Sequence, residues 1–193
     1  MRCLARRSNG SMTVVGDIGQ STGAFARDSW KDVIDGLRQQ MPVVEKELEY
    51  GYRVPRQIME FAQQLLPMAA PGVRAPQVIR DGPSEPEMIQ DEIGTHAEHS
   101  VEVAREYAGR GLSVGVIIPP SLHADVVEEL AHHDVQWREA SSGLLGQGIN
   151  LLSASESKGL EFDAVVVVSP ERIAGEGPDG SRLLYIAYTR TTK

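Results

Sequence analysis

Ser113-Val114-Gly115-Val116-Ile117-Ile118-Pro119-Pro120-Ser121 is the stretch on which the fold reading turns. Its β-branched residues form an apolar run too short for a helix, and the two prolines that follow end it. Ser121 is then placed as the N-cap of a helix running to about His132. The same alternation continues toward the C-terminal end. Val135-Gln136-Trp137 reads as a short strand, Ile149 to Ser153 as another, and Arg182 to Thr189 as the last helix. Ala164 to Ser169 is a continuous β-branched run, the pattern of a strand covered on both faces. Strands alternating with helices predict a parallel sheet with right-handed crossovers, so the class is α/β.

Working back toward the N-terminus, the pattern loosens. Met12 to Val15 is strand-like and ends in a loop by composition, Gly16 to Gly23. Ser29 to Gln40 places Trp30, Val33, Ile34 and Leu37 on one helical face, with Ser29 as N-cap and Pro42 closing the segment. Val43 to Tyr52 alternates as a strand does. Pro55 suits a first helical turn, and Ile58, Met59, Ala62, Leu65 and Leu66 form the stripe of a helix stopped by Pro67. Pro71 to Pro86 is loop around a short strand, Gln77 to Arg80. A helix from about Glu87 to Ala108 follows, with Gly94 inside it and Gly109-Arg110-Gly111 as its stop.

Composition bounds the function. The chain has 193 residues, 41% of them hydrophobic, with a net charge of -8 and one cysteine. These fractions are those of a globular domain and not of a disordered or collagen-like chain. Cys3 alone forms neither an intrachain disulfide nor a cysteine-based zinc site, which favours a reducing compartment. No apolar run is long enough to span a bilayer or to act as a secretory signal, so a cytoplasmic protein is expected. The acidic balance excludes nucleic-acid binding by overall charge, though not by a local groove. Basic residues comprise 15 Arg and 4 Lys, a bias of the kind genomic base composition produces. His96 and His99 are spaced as a metal pair but have no third ligand, so no metal site is expected.

Four groups of residues could carry chemistry. Gly16-Asp17 with Gln20 follows a strand; Tyr52-Arg53 falls between a strand and a helix. Lys158-Gly159-Leu160-Glu161 precedes the valine strand, and Thr189-Arg190 ends the last helix. Singly, each has an ordinary structural explanation: a turn, a solvated arginine, a helix cap. Spacing alone reaches a parallel α/β domain with an arginine-containing anion site.

In order, these segments resemble the UvrD/Rep-like superfamily 1 helicases. Val14-Val15-Gly16-Asp17-Ile18-Gly19-Gln20-Ser21 is similar to motif III, and Leu48-Glu49-Tyr50-Gly51-Tyr52-Arg53-Val54-Pro55 to motif IV. Ser153 to Val168, centred on Lys158-Gly159-Leu160-Glu161-Phe162-Asp163, resembles motif V. Leu183-Leu184-Tyr185-Ile186-Ala187-Tyr188-Thr189-Arg190 resembles motif VI.

The resemblance implies an ATP site shared by two RecA-like domains. Residues 1–41 would be the tail of the first domain with motif III and a linker, and residues 42–193 the second domain. Arg53 and Arg190 would reach the γ-phosphate as arginine fingers, and Gln20 would sense that phosphate or its attacking water. Glu161 would accept a hydrogen bond from the ribose. Lys158 and Gly159 would sit on the same loop, where Lys158 orders the loop or meets a nucleic-acid phosphate. The cofactors implied are ATP and Mg²⁺, with the Mg²⁺ ligands on the first domain. None of the four lysines follows a glycine, so these residues hold no Gly-x-x-x-x-Gly-Lys-Ser/Thr phosphate loop. Asp91-Glu92 follows a polar stretch and is a poor Mg²⁺ motif. The chain alone is therefore expected to be inactive and to need an N-terminal RecA-like partner domain.

Departures from the family pattern qualify the expected partners. Gly51 and Val54 flank the motif IV core, and Ser155 stands where motif V usually has His. Ser21-Thr22-Gly23 lacks the tyrosine that stacks on single-stranded DNA, although Phe25 lies close by. Such stacking is worth roughly 1–3 kcal/mol per base, so the grip on single-stranded DNA is expected to be weakened. Only about a hundred residues separate Arg53 from Lys158, which resembles the shorter, helicase-IV-like bacterial branch whose members associate with RNA polymerase. Three functions compete: a DNA helicase or translocase, an ATPase that remodels or releases RNA polymerase, and a binding module without catalysis.

Overall fold

Two parallel sheets organise the chain, and the larger of them positions every candidate residue but those on the N-terminal segment and Arg53. The computed structural model describes residues 12–37, 42–90 and 94–193. Strands β1 (Tyr50–Gly51) and β2 (Gln77–Val78) form the small sheet. Strands β3 (Ser113–Ile118), β4 (Trp137–Glu139), β5 (Gly148–Ser153) and β6 (Ala164–Val167) form the other, in the order β4-β5-β3-β6. All its pairings are parallel, as the alternation of strands and helices predicts. The helices are α1 (Trp30–Leu37), α2 (Arg56–Ala62), α3 (Leu66–Ala69), α4 (His96–Gly109), α5 (His123–Ala131), α6 (Pro170–Ala174) and α7 (Gly180–Tyr188). Among the described residues, no helix is long and apolar enough to cross a membrane.

Strand β3 explains its own sequence. Val114, Val116 and Ile118 face Val101 and Ala104 of α4 and Val126 and Leu130 of α5. Ile117 faces the other way, into a cluster with Leu152, Phe162, Ile173, Leu183, Leu184 and Ala187. Both faces are covered, so the run is apolar throughout instead of alternating. Burying each Val, Ile or Leu of these layers contributes roughly 1.5–3 kcal/mol. Gly115 shares the face of Ile117, and the Phe162 ring occupies the space a side chain would fill.

Several expectations need correction. Met12 to Val15 is not a strand: no neighbouring strand among the described residues supplies a ladder, and Val15 is 80% exposed. Val43 to Tyr52 contracts to β1 and Gln77 to Arg80 to β2, because each finds only the other to pair with. Pro67 does not stop a helix; it occupies the first turn of α3, after a 3₁₀ turn at Gln63–Leu65 breaks the segment. Gly94 has φ +103°, a left-handed conformation incompatible with a continuing helix, so α4 begins only at His96. Ser121 does not cap α5, since Pro120–Leu122 forms a 3₁₀ turn and pushes the helix start to His123. The strand placed at Val135 to Trp137 begins instead at Trp137. Strand β6 ends at Val167 and lies at the edge of the four-stranded sheet, half-buried instead of enclosed. The expectations for Cys3, Asp91-Glu92 and the end of the helix at 38–40 lie outside the described residues.

A β-carbon added at Gly115 would lie 2.5 Å from Cδ2 and 2.8 Å from Cε2 of Phe162. Gly115→Ala is therefore expected to destabilise the chain by about 1–3 kcal/mol, the usual cost of overpacking. A urea-denaturation midpoint equal to that of the unmutated chain would contradict this packing.

Candidate functional site

The site is built around the turn that ends α7. Thr189 Oγ1 donates to the carbonyls of Tyr185 and Ile186, both at 3.0 Å, which closes the last helical turn. The chain then runs beside Phe162. The Phe162 N–H donates to the Arg190 carbonyl and the Thr192 N–H to the Phe162 carbonyl, each at 2.9 Å. Lys193 pairs with Asp163 at 2.8 Å. Lys193, with the N–H and hydroxyl of Ser113, holds the Asp163 carboxyl below the usual aspartate range. Arg190 is thus fixed by backbone on both sides.

Its guanidinium turns inward and is only 8% exposed as a residue. Nε donates to the Ile186 carbonyl at 3.0 Å and Nη1 to the Leu160 carbonyl at 3.3 Å. Nη2 donates to Thr189 Oγ1 at 3.1 Å and to Gln20 Oε1 at 3.4 Å. Every direct acceptor is neutral. Burial pushes the Arg190 pKa down, aided by Arg53; Glu161, Asp17 and Tyr185 pull it back up. The group stays charged, and its countercharges lie beyond its hydrogen-bonding shell.

Gln20 arrives on a 3₁₀ turn, Ile18–Gln20, whose N-cap is Asp17. Asp17 Oδ1 accepts from the Gly19 N–H and Oδ2 from Gln20 Nε2, both at 2.8 Å. This leaves Gln20 Oε1 directed at Arg190, the only amide orientation that satisfies both neighbours. A β-carbon at Gly19 would meet the Tyr185 ring at 3.3 Å, so glycine is what allows the turn to lie against α7. Tyr185 is buried there, and burial with nearby Asp17 lifts its hydroxyl pKa to about 12.

Arg53 and Glu161 meet each other, Nη1 to Oε1, at 2.6 Å on a half-exposed surface. Lys158 and Gly159 sit on the exposed turn after β5, and Lys158 has no ion pair among the described residues. Ser153 and Glu156 close that turn reciprocally. Glu156 Oε2 accepts from the Ser153 N–H at 2.9 Å, and Ser153 Oγ from the Glu156 N–H at 3.3 Å. Gly159 takes φ +82°, a left-handed turn that reverses the chain into Leu160, whose carbonyl accepts from Arg190 Nη1.

The structure therefore brings Gln20 to Arg190 and Arg53 to Glu161, with the charges of Arg53 and Glu161 felt at Arg190. Sequence reasoning missed Arg80, whose Nη2 donates to the carbonyls of Arg53 at 2.6 Å and Thr192 at 2.5 Å. No local pattern marks such a bridge. It also missed the Ser153–Glu156 pair, although Ser-x-x-Glu is a readable signature.

Comparison with known proteins points the same way. The UvrD-like helicase C-terminal domain family matches residues 149–193, the segment that carries Lys158, Gly159, Glu161 and Arg190. No curated protein matches the chain. Among solved structures, it is similar to the C-terminal domain of a possible DNA helicase from Lactobacillus plantarum WCFS1. That likeness has a TM-score of 0.54 and 20% identity, covering 74% of this chain and 83% of the other. At that identity the likeness is one of fold. Residues 149–193 are thus similar in sequence to a UvrD-like helicase C-terminal domain, within a parallel α/β fold shared with the C-terminal domain of a possible DNA helicase.

Proposed function

We propose that this chain supplies one side of an ATP site in a UvrD/Rep-like DNA helicase or translocase, the phosphate-binding loop coming from a separate RecA-like domain. One observation carries the reading: the buried Arg190 guanidinium, in contact only with neutral acceptors, joins the motif III glutamine to the motif V and VI segments. A cation so placed has electrostatic capacity left for an anion. On this reading residues 1–41 belong with the first domain and residues 42–193 with the second.

The chemistry follows from phosphoryl transfer, in which negative charge spreads over the γ-phosphoryl oxygens and catalysis is positioning plus electrostatics. The donor set fits a triphosphate from one side. Arg53 offers a planar N–H fork. Arg190, most of whose N–H groups are already bonded, offers its charge and would turn its Nη2 from Gln20 to a phosphate oxygen. Gln20 offers an amide to orient water or phosphate, and Glu161 an acceptor for a ribose hydroxyl. Mg²⁺, held by the other domain, would neutralise phosphate charge when bound. The Arg53–Glu161 pair must open for both roles. An exposed pair is worth only about 0–1 kcal/mol, so a triphosphate can take Arg53 at small cost. Phe25, 90% exposed and a few residues past Gln20, is the ring available to stack on single-stranded DNA. An ATPase acting on RNA polymerase would use the same site; ATP turnover stimulated by single-stranded DNA favours the helicase, and co-purification with polymerase the alternative.

The 193 residues alone are expected to release phosphate from ATP at background rate, with or without DNA. Turnover in the range of about 1–100 s⁻¹ typical of phosphoryl-transfer enzymes would overturn the half-site reading.

In the two-domain protein, Arg190→Ala should lower kcat by roughly 10³–10⁵, the worth of an arginine finger, with ATP affinity changing far less. Arg190→Lys should not restore it, because an ammonium lacks the planar fork. Arg190 also caps the last turn of α7 through the Ile186 carbonyl. If that is its whole role, both variants lose melting temperature but keep kcat in the folded fraction. Measuring kcat, nucleotide affinity and melting temperature together separates the two.

A further inference from the structure

Arg182 lies on α7, two turns before Arg190, and belongs to none of the groups considered so far. It is nearly buried, its side chain 11% exposed. Nε donates to the Ala69 carbonyl at the end of α3 at 2.6 Å, which fixes the plane of the guanidinium from one side. From the other side Nη1 donates to the Ser21 carbonyl at 3.1 Å, and Nη2 pairs with Asp28 Oδ1 at 2.5 Å. Asp179 stands 3.8 Å from Nη1, and its other oxygen accepts from the Gly23 N–H at 2.9 Å.

The segment from Asp17 to Asp28 has bonds of its own, but they shape it without attaching it. Ser21 N–H to Ile18, Ala26 N–H to Gly23 and Arg27 N–H to Ser21 Oγ are all local. At its start the segment is attached by buried Ile18 and by Gly19 against Tyr185 and Leu66. Beyond Gly19 the attachments are Arg182 with Asp179 and the Gln20–Arg190 bond. That last bond, at 3.4 Å, is the longest that Arg190 makes. Arg182 holds the carbonyl of the residue next to Gln20. Arg182 itself is nearly buried, whereas Asp28 is 83% exposed.

We infer that Arg182 is a positioning residue: with Asp28 and Asp179 it latches the Ser21–Asp28 segment onto α7 and so sets Gln20 against Arg190. The mechanistic part rests on the proposal that Gln20 and Arg190 face a γ-phosphate; the latch itself does not. A planar fork is needed because the acceptors lie on separate segments around one guanidinium. A lysine reaches them with a single ammonium nitrogen.

Amide hydrogen exchange on the 193-residue chain tests the latch. Arg182→Ala should speed exchange at Gln20, Gly23 and Arg27 by about tenfold or more, while Val116 and Leu151 in the sheet keep their protection. Arg182→Lys should resemble Arg182→Ala. The double variant Asp28→Asn/Asp179→Asn leaves the buried arginine in place and should give the same local pattern. It decides the matter if Arg182→Ala unfolds the chain. Unchanged exchange at Gln20–Arg27 in the double variant, or full protection in Arg182→Lys, would overturn the latch. In the two-domain protein the double variant should lower kcat about tenfold with little change in KM. Local loosening with kcat unchanged would leave the latch standing and count against the ATP-facing role of Gln20.

Discussion

A guanidinium buried to within a few per cent of complete exclusion must place its N–H groups on acceptors, and Arg190 constrains the surrounding structure for that reason. An unpaired buried charge costs several kcal/mol, so each acceptor has to be held where Arg190 needs it. The Ile186 carbonyl is within reach because α7 ends there, and Arg190 shares it with Thr189. The Leu160 carbonyl is available because Gly159 turns left-handed, and Gln20 because Asp17 holds its amide nitrogen. The same arrangement that satisfies the arginine brings three chain segments to one place.

That convergence depends on packing some distance away. Phe162 fills the hollow over Gly115 in the central strand, and its backbone groups grip residues 190–192. Arg80 ties the Arg53 loop to the Thr192 carbonyl, so the small sheet is joined to the same end of the chain. The net charge of -8 does not set the local field, because the charges felt at Arg190 are those of Arg53 against Glu161 and Asp17.

The sequence was legible where burial is two-sided and local. Strand β3 lies where Ser113 to Ile118 predicts it, and α7 differs from its predicted bounds by one or two residues, because continuous apolar runs and an uninterrupted helical stripe leave few alternatives. It was misleading where apolar residues find no partner. Met12 to Val15 and Val43 to Leu48 have strand composition, yet Val15, Val44 and Leu48 are exposed. Pro67 and Gly94 show the limits of punctuation: the first opens a helical turn where a stop is expected, and the second delays a helix instead of weakening it. The candidate residues were legible as motifs, but their mutual geometry was not. Nothing in the order of residues shows that Gln20 and Arg190, 170 positions apart, share a hydrogen bond, or that Arg53 and Glu161 pair directly.

The contact between Gln20 and Arg190 is the join on which the proposed half-site depends, and a double-mutant cycle measures it directly. Unfolding free energies of Gln20→Ala, Arg190→Gln and the double variant isolate their interaction from each residue's other bonds. The account predicts a coupling above about 0.5 kcal/mol, the level at which contacting residues depart from additivity. Effects that add to within about 0.3 kcal/mol would mean that the two residues act independently, and the proposed assembly of the Gln20 turn onto the Arg190 turn would have to be abandoned.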